Sequence, residues 1–179
     1  MISYQDPYFP ETRNLNFRRV FFYEGHTGDR HVVADSRSAD GAETESSVQM
    51  LHLHLIWKPR PGRTYANRTT SDATFVFVTT NPQATVAYEG TGFVYPEIQR
   101  DGTLRLKIEN GRLRPKMVSG TSGDAIADLR IVGELFAQEN RAETINLRRW
   151  VDRVAAGFLS EDGSRNDGTS REATLPGQP

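Results

Sequence analysis

Residues 47–57, SVQMLHLHLIW, followed by Lys58-Pro59-Arg60-Pro61-Gly62, constrain the fold more than any other stretch of this chain. Read with a period of two, they set Leu51, Leu53, Leu55 and Trp57 on one face and Val48, Met50, His52, His54 and Ile56 on the other. Both faces are mostly apolar, so the segment reads as a strand inside a sheet that is covered on both sides. Two prolines just beyond it remove ladder donors and stop the strand.

Several further segments repeat the strand pattern. Residues 16–23 and 31–34 flank the turn Glu24-Gly25-His26-Thr27-Gly28-Asp29, and residues 73–79, ATFVFVT, are apolar on both faces. Residues 84–98 alternate but carry Gly90-Thr91-Gly92, which suggests a bulge or bend where the chain changes sheets. Asn110-Gly111 between alternating segments predicts a two-residue hairpin turn, with Lys107 opposite Arg114 and Arg105 opposite Lys116. Residues 127–138 form a last strand. The period then lengthens: Leu147, Trp150, Val151, Val154, Ala155 and Phe158 make a helical stripe, with Asn140 and Glu143 spaced as a capping box and Gly157 as the closing residue. A helix over 141–156 follows.

The expected fold is all-β, a mostly antiparallel sandwich or barrel of roughly eight strands with one C-terminal amphipathic helix packed over a face or opening. Residues 1–14, with Pro7 and Pro10 among aromatics, read as an extended N-terminal arm without strand period, residues 15–159 as a single domain, and 160–179 as a disordered tail poor in apolar residues. The polar stretch 35–46 reads as a mobile loop. Trp57 and Trp150 sit at periodic positions that favour core packing.

Composition narrows the function classes. A net charge of −1, from 22 basic and 23 acidic residues, sets up no global field, so nucleic acid is not an expected partner. The absence of Cys removes disulfides, thiolate nucleophiles and Cys-ligated metal centres. Neither a signal peptide nor an apolar run of membrane length is visible, which gives the expectation of a soluble, cytoplasmic protein. Asn67-Arg68-Thr69 fits a glycosylation acceptor by coincidence of pattern.

Two constellations could carry chemistry. His52 and His54 project from one strand face about 6.5–7 Å apart, a spacing that metal sites in β-barrels use, and His31 and His26 are the remaining histidines. Against a divalent metal stands the plainer reading of a covered sheet face whose imidazoles bond to backbone. The second constellation is Arg105, Lys107, Arg114 and Lys116, whose like charges oppose each other in the hairpin register. They call either for acids from a neighbouring strand or for an anionic partner, an acidic protein surface or a small anion.

The His-x-His pair resembles that of cupin barrels, whose motif would place a Glu a few residues later, where Lys58-Pro59-Arg60 stands here. That resemblance implies a small metal-dependent barrel enzyme using His52 and His54. The leading expectation is instead a non-enzymatic binding or structural module without a cofactor, with a small-molecule carrier barrel as a further alternative.

Overall fold

The computed structural model describes residues 2–5, 12–37, 47–56, 73–120 and 128–157. Nine strands and one helix occur among them: β1 (Ile2–Gln5), β2 (Thr12–Leu15), β3 (Arg19–Glu24), β4 (Arg30–Asp35), β5 (Val48–Leu55), β6 (Ala73–Thr80), β7 (Ala84–Ile98), β8 (Leu104–Gly120), β9 (Leu129–Glu139) and α1 (Arg141–Ala155). The all-β class with a single C-terminal helix is as expected. Trp57, the proline stop, most of the 35–46 loop, the glycosylation pattern, Phe158 and the tail lie outside the described residues.

The strands form one sheet in the order β2-β1-β9-β3-β4-β5-β6-β7-β8, and β8 also pairs with β9, so the sheet closes into a ring. It is not a regular barrel. Every pairing among the described residues is antiparallel except the seam, where β3 meets β9 in parallel through two residue pairs, Phe21 with Gln138 and Phe22 with Glu139. On that edge β9 is shared with β1, which pairs Ile2–Gln5 against residues 130–133. Within the segment expected as an extended arm without strand period, residues 2–5 and 12–15 thus pair with each other as antiparallel strands at the edge of the sheet.

Alternation along each strand sorts side chains to two cores. The larger core draws on all nine strands, including Ile2, Phe22, Leu51, Leu53, Phe75, Phe77, Leu106 and Ile131. The smaller lies on the opposite face, where Val33, Met50, Val78 and Ala87 meet Leu147, Val151, Val154 and Ala155 of α1. Strand β5 feeds both: Leu51, Leu53 and Leu55 enter the first core, and Met50 the second, which is why both its faces are apolar.

Helix α1 starts where the stripe predicts. The Asn140 side chain accepts from the Glu143 backbone N–H at 3.1 Å, while the Asn140 backbone N–H donates to the Phe22 carbonyl at 2.9 Å, fastening the helix start to β3. Gly157 closes it at φ +79°. No helix among the described residues is long and apolar enough to cross a membrane.

The hairpin expected at Asn110-Gly111 is not formed. β8 runs on through it as a single strand of 17 residues beside β7, and Glu109 and Asn110 together face Val132 of β9, a bulge. A bulge and a two-residue turn both keep Ile108 and Leu113 on one face, so the alternation is satisfied either way. The long partner decides. Gly90 and Gly92 of β7 let β8 approach so closely that a Cβ on Gly90 would lie 1.8 Å from the Arg112 carbonyl oxygen, and one on Gly92 2.3 Å from that of Asn110. The glycines mark this close approach and a register shift at Phe93/Val94, while the chain stays in the same sheet.

Candidate functional site

The outer face of the sheet, beside the smaller core, carries three histidines on two strands. His31 of β4 and His54 of β5 are direct cross-strand partners, and their rings stack 4.2 Å apart at 8°. The stacking sets the two rings in separate, nearly parallel planes. The turn between β3 and β4 brings Asp29 to meet them, with Oδ2 at 2.9 Å from His54 Nε2 and 3.1 Å from His31 Nε2. The three donor atoms lie within 4.8 Å of one another.

The turn is built for that carboxylate. Gly28 adopts φ +80°, its N–H donates to the Gly25 carbonyl, and the Gly25 N–H donates to the Asp29 carbonyl at 2.7 Å. Thr27 Oγ1 donates to Asp29 Oδ1 at 2.6 Å, leaving Oδ2 to the histidines. The Thr27 hydroxyl and His54 stabilise the ionised form and hold the carboxyl at about 2.

His52 stands behind His31. Its Nε2 is 3.2 Å from His31 Nδ1, and the two rings stack at 5.4 Å. Burial, reinforced by the neighbouring imidazoles and Arg148, pushes His52 down to about 3; burial, His54 and Arg148 push His31 down to about 4. Both are neutral at physiological pH. Their bonds run to side chains rather than to the backbone partners of the plainer sequence reading.

Two groups on the sheet and helix complete the cluster. Tyr23 of β3 stacks on His31 at 5.0 Å, and Arg148 of α1 places Nη1 3.3 Å from both the Tyr23 hydroxyl and His31 Nε2. Arg148 Nε also lies 3.5 Å from Asp152 Oδ2.

His31 Nε2 is thus addressed by an acceptor, Asp29 Oδ2, and by a donor, Arg148 Nη1. A neutral ring nitrogen is either N–H or lone pair. Protonated, it opposes the guanidinium N–H; bare, it opposes the carboxylate. A cation in place of the proton satisfies the acceptors, because Asp29 Oδ2, His31 Nε2 and His54 Nε2 all then give lone pairs to it, and it leaves Arg148 Nη1 without the His31 lone pair. Metal–ligand bonds of about 2.0–2.2 Å put neighbouring donors roughly 3.3–3.6 Å apart at tetrahedral angles and about 2.8–3.1 Å apart at octahedral ones. Asp29 Oδ2 lies 2.9 and 3.1 Å from the two imidazole nitrogens, and the stacked rings must tilt towards each other to direct both lone pairs at one ion. His31 Nδ1–H then donates to His52 Nε2, the outer hydrogen bond that orients a ligating imidazole.

The structure therefore brings His31, His52 and His54 together and leaves His26 exposed in the turn, outside the converging donors. Sequence reading missed Asp29, Thr27, Tyr23 and Arg148. Asp29-Arg30-His31, a carboxylate two residues before a strand histidine, was the visible signal for the first of them.

The basic residues of β8 lie apart from this cluster, and the opposition expected between them is not formed. Across β7, Arg105 faces Glu97, Lys107 faces Tyr95 and Arg114 faces Glu89. Arg105 pairs with Glu134 at 2.7 Å and Glu97 at 3.5 Å, Lys107 with Glu109 at 3.0 Å, Arg114 with Asp128 at 3.5 Å, and Lys116 with Glu89. Acids thus meet all four.

A cavity of about 490 Å³ opens beside the β3–β9 seam, where Leu15, Phe17, Leu135 and Phe136 share the walls with Arg18, Arg19 and Glu134. Arg19 itself is bound to Asp35, a carboxylate fully buried in the outer face that also accepts from Arg37 at 3.0 and 3.1 Å. Arg37 in turn lies 5.2 Å over the Trp150 ring. No protein-family model matches this chain, and neither a curated protein nor a solved structure matches it.

Proposed function

We propose that the domain is a metal-binding module in which Asp29, His31 and His54 hold one divalent transition-metal ion against the outer face of the sheet. The convergence of their three donor atoms carries this reading. Two imidazole nitrogens and a carboxylate oxygen suit zinc, and equally iron(II) where further positions stay open. Partial exposure of the Asp29 and His54 side chains, 19 % and 32 %, gives the ion a route in from solvent. His52, named with His54 in the cupin-like alternative, acts here as a positioning residue behind His31.

The test is titration of chelator-treated protein with Co²⁺ or Zn²⁺, followed by calorimetry and by the visible spectrum of Co²⁺. The expected result is one equivalent bound. Asp29→Asn, His31→Ala and His54→Ala should each weaken binding by more than about 100-fold, since partners outside the ligand set already cost 10–100-fold. His26→Ala should change nothing. Sub-stoichiometric binding, or binding that survives all three ligand substitutions, overturns the reading.

A further inference from the structure

A metal on Asp29, His31 and His54 would create a charge that this site does not balance by itself. A divalent ion with one carboxylate keeps a net single positive charge, and Arg148 adds another. Arg148 Nη1 is 3.3 Å from His31 Nε2, and a metal bound to that nitrogen would sit about 2.1 Å from it. The guanidinium nitrogen and the metal are then no more than about 5.4 Å apart. Arg141, whose guanidinium lies 5.8 Å from the Tyr23 ring centroid, brings a third cation to the same edge. Asp152 is the acid facing Arg148 from its own helix, at 3.5 Å, which relieves only part of this charge.

Metal binding also changes what Arg148 can bond. In the tautomer with His31 Nε2 bare, Arg148 Nη1 donates to its lone pair, which the metal takes. Tyr23 OH, at 3.3 Å, remains as its partner across the cluster, and one guanidinium fork has donors to spare. The Arg148 side chain is 37 % exposed, so these donors are reachable from solvent.

We propose that the metal site takes a compact oxyanion, a carboxylate or phosphate, with one oxygen on the metal and another on the Arg148 guanidinium, beside the Tyr23 hydroxyl. Oxygen atoms of one carboxylate or phosphate span the gap between metal and guanidinium, and the planar fork of Arg fits either group. The anion removes the repulsion between the two cations and replaces the hydrogen bond that Arg148 loses. This inference rests on the metal reading and fixes the class of ligand that the loaded site would accept.

The experiment separates the two. Co²⁺ alone is titrated first, and failure at this step overturns the metal reading and this inference with it. Acetate, oxalate and inorganic phosphate are then added to the Co²⁺-loaded protein at constant ionic strength set with perchlorate. At least one should shift the visible spectrum saturably, and which one does identifies carboxylate or phosphate as the ligand. Arg148→Gln should weaken that anion tenfold or more while Co²⁺ binds as tightly as before or more tightly. Arg148→Lys should restore part of the loss, and Tyr23→Phe should weaken the anion a few-fold. A spectrum unmoved by all three anions in the loaded protein, or an anion affinity unchanged by Arg148→Gln, overturns this inference and leaves the metal reading standing.

Discussion

A Cβ on Gly25 would lie 2.3 Å from Asp29 Oδ1, so the missing side chain of one residue makes room for the carboxylate of the other. The obstructed atom is the end of a rotatable side chain, which can swing away at little cost to the fold. Gly25→Ala should therefore leave stability within about 1 kcal/mol of wild type while weakening Co²⁺ binding at least tenfold. Calorimetry and a urea melt of the same sample check both halves. Metal affinity equal to wild type would show that Asp29 is not held by this turn.

At Gly90 the obstruction is backbone. With the Arg112 carbonyl oxygen 1.8 Å from the added Cβ, Gly90→Ala must push β7 and β8 apart and should cost about 3 kcal/mol or more, the upper end for overpacking. Among the described residues Gly102 has nothing within 4 Å of an added Cβ, but it adopts φ +83°, so Gly102→Ala should cost only the left-handed penalty of roughly 1–2 kcal/mol. Denaturant midpoints of the two variants compare them directly. An equal cost at both positions would mean that β7 and β8 do not pack in this register.

Arg114→Glu has opposite signs in the two arrangements of β8. In a two-residue hairpin it would relieve repulsion from Lys107 and stabilise. In the continuous strand Arg114 faces Glu89 and pairs with Asp128, so the change brings three acids together. A destabilisation of a few tenths to about 1 kcal/mol is expected, shrinking in high salt. Stabilisation would restore the hairpin.

Acid should weaken the metal-free protein in two stages. His31 and His52 are held to about 4 and about 3 in the folded state, against about 6.5 in an unfolded chain. Above pH ~6.5 neither contributes. As pH falls below that value the unfolded chain takes up protons that the folded one refuses, and each histidine lowers the folding constant by up to about tenfold per pH unit. The loss levels off as pH passes each folded value. Asp29, held to about 2, stabilises above its unfolded value of about 3.9 and loses that contribution as pH falls towards 2. Urea midpoints of chelator-treated protein between pH 7.5 and 4.5 test the histidine stage, and His52→Leu should flatten the slope. A midpoint that stays level from pH 6.5 to 4.5 would show the imidazoles to be protonated in the folded protein.

The sequence by itself determined the fold class, most strand positions and the helix. These follow from local chemistry: two-residue alternation places β6, β7 and β9 within a residue or two, and the Asn140 cap with the Leu147–Ala155 stripe places α1. The apolar character of both faces of β5 likewise told that it lies between two covered sides, because burial acts on each residue whatever its partner is.

Tertiary structure alone decided which strands meet. A phase shift at Asn110-Gly111 serves a turn and a bulge equally well, and the choice fell to the 15-residue partner β7 and the bare backbones of Gly90 and Gly92. The same holds for the site. His31 and His54 are 23 positions apart, on strands joined by a connection with no register signal, so only the sheet could set them face to face. Asp29 and Arg148 arrive from a turn and from a helix more than a hundred residues away. Local propensity fixes what each segment becomes. The register of a closed sheet, set by packing across it, fixes which side chains share a few ångströms, and the chemistry of this surface depends on that.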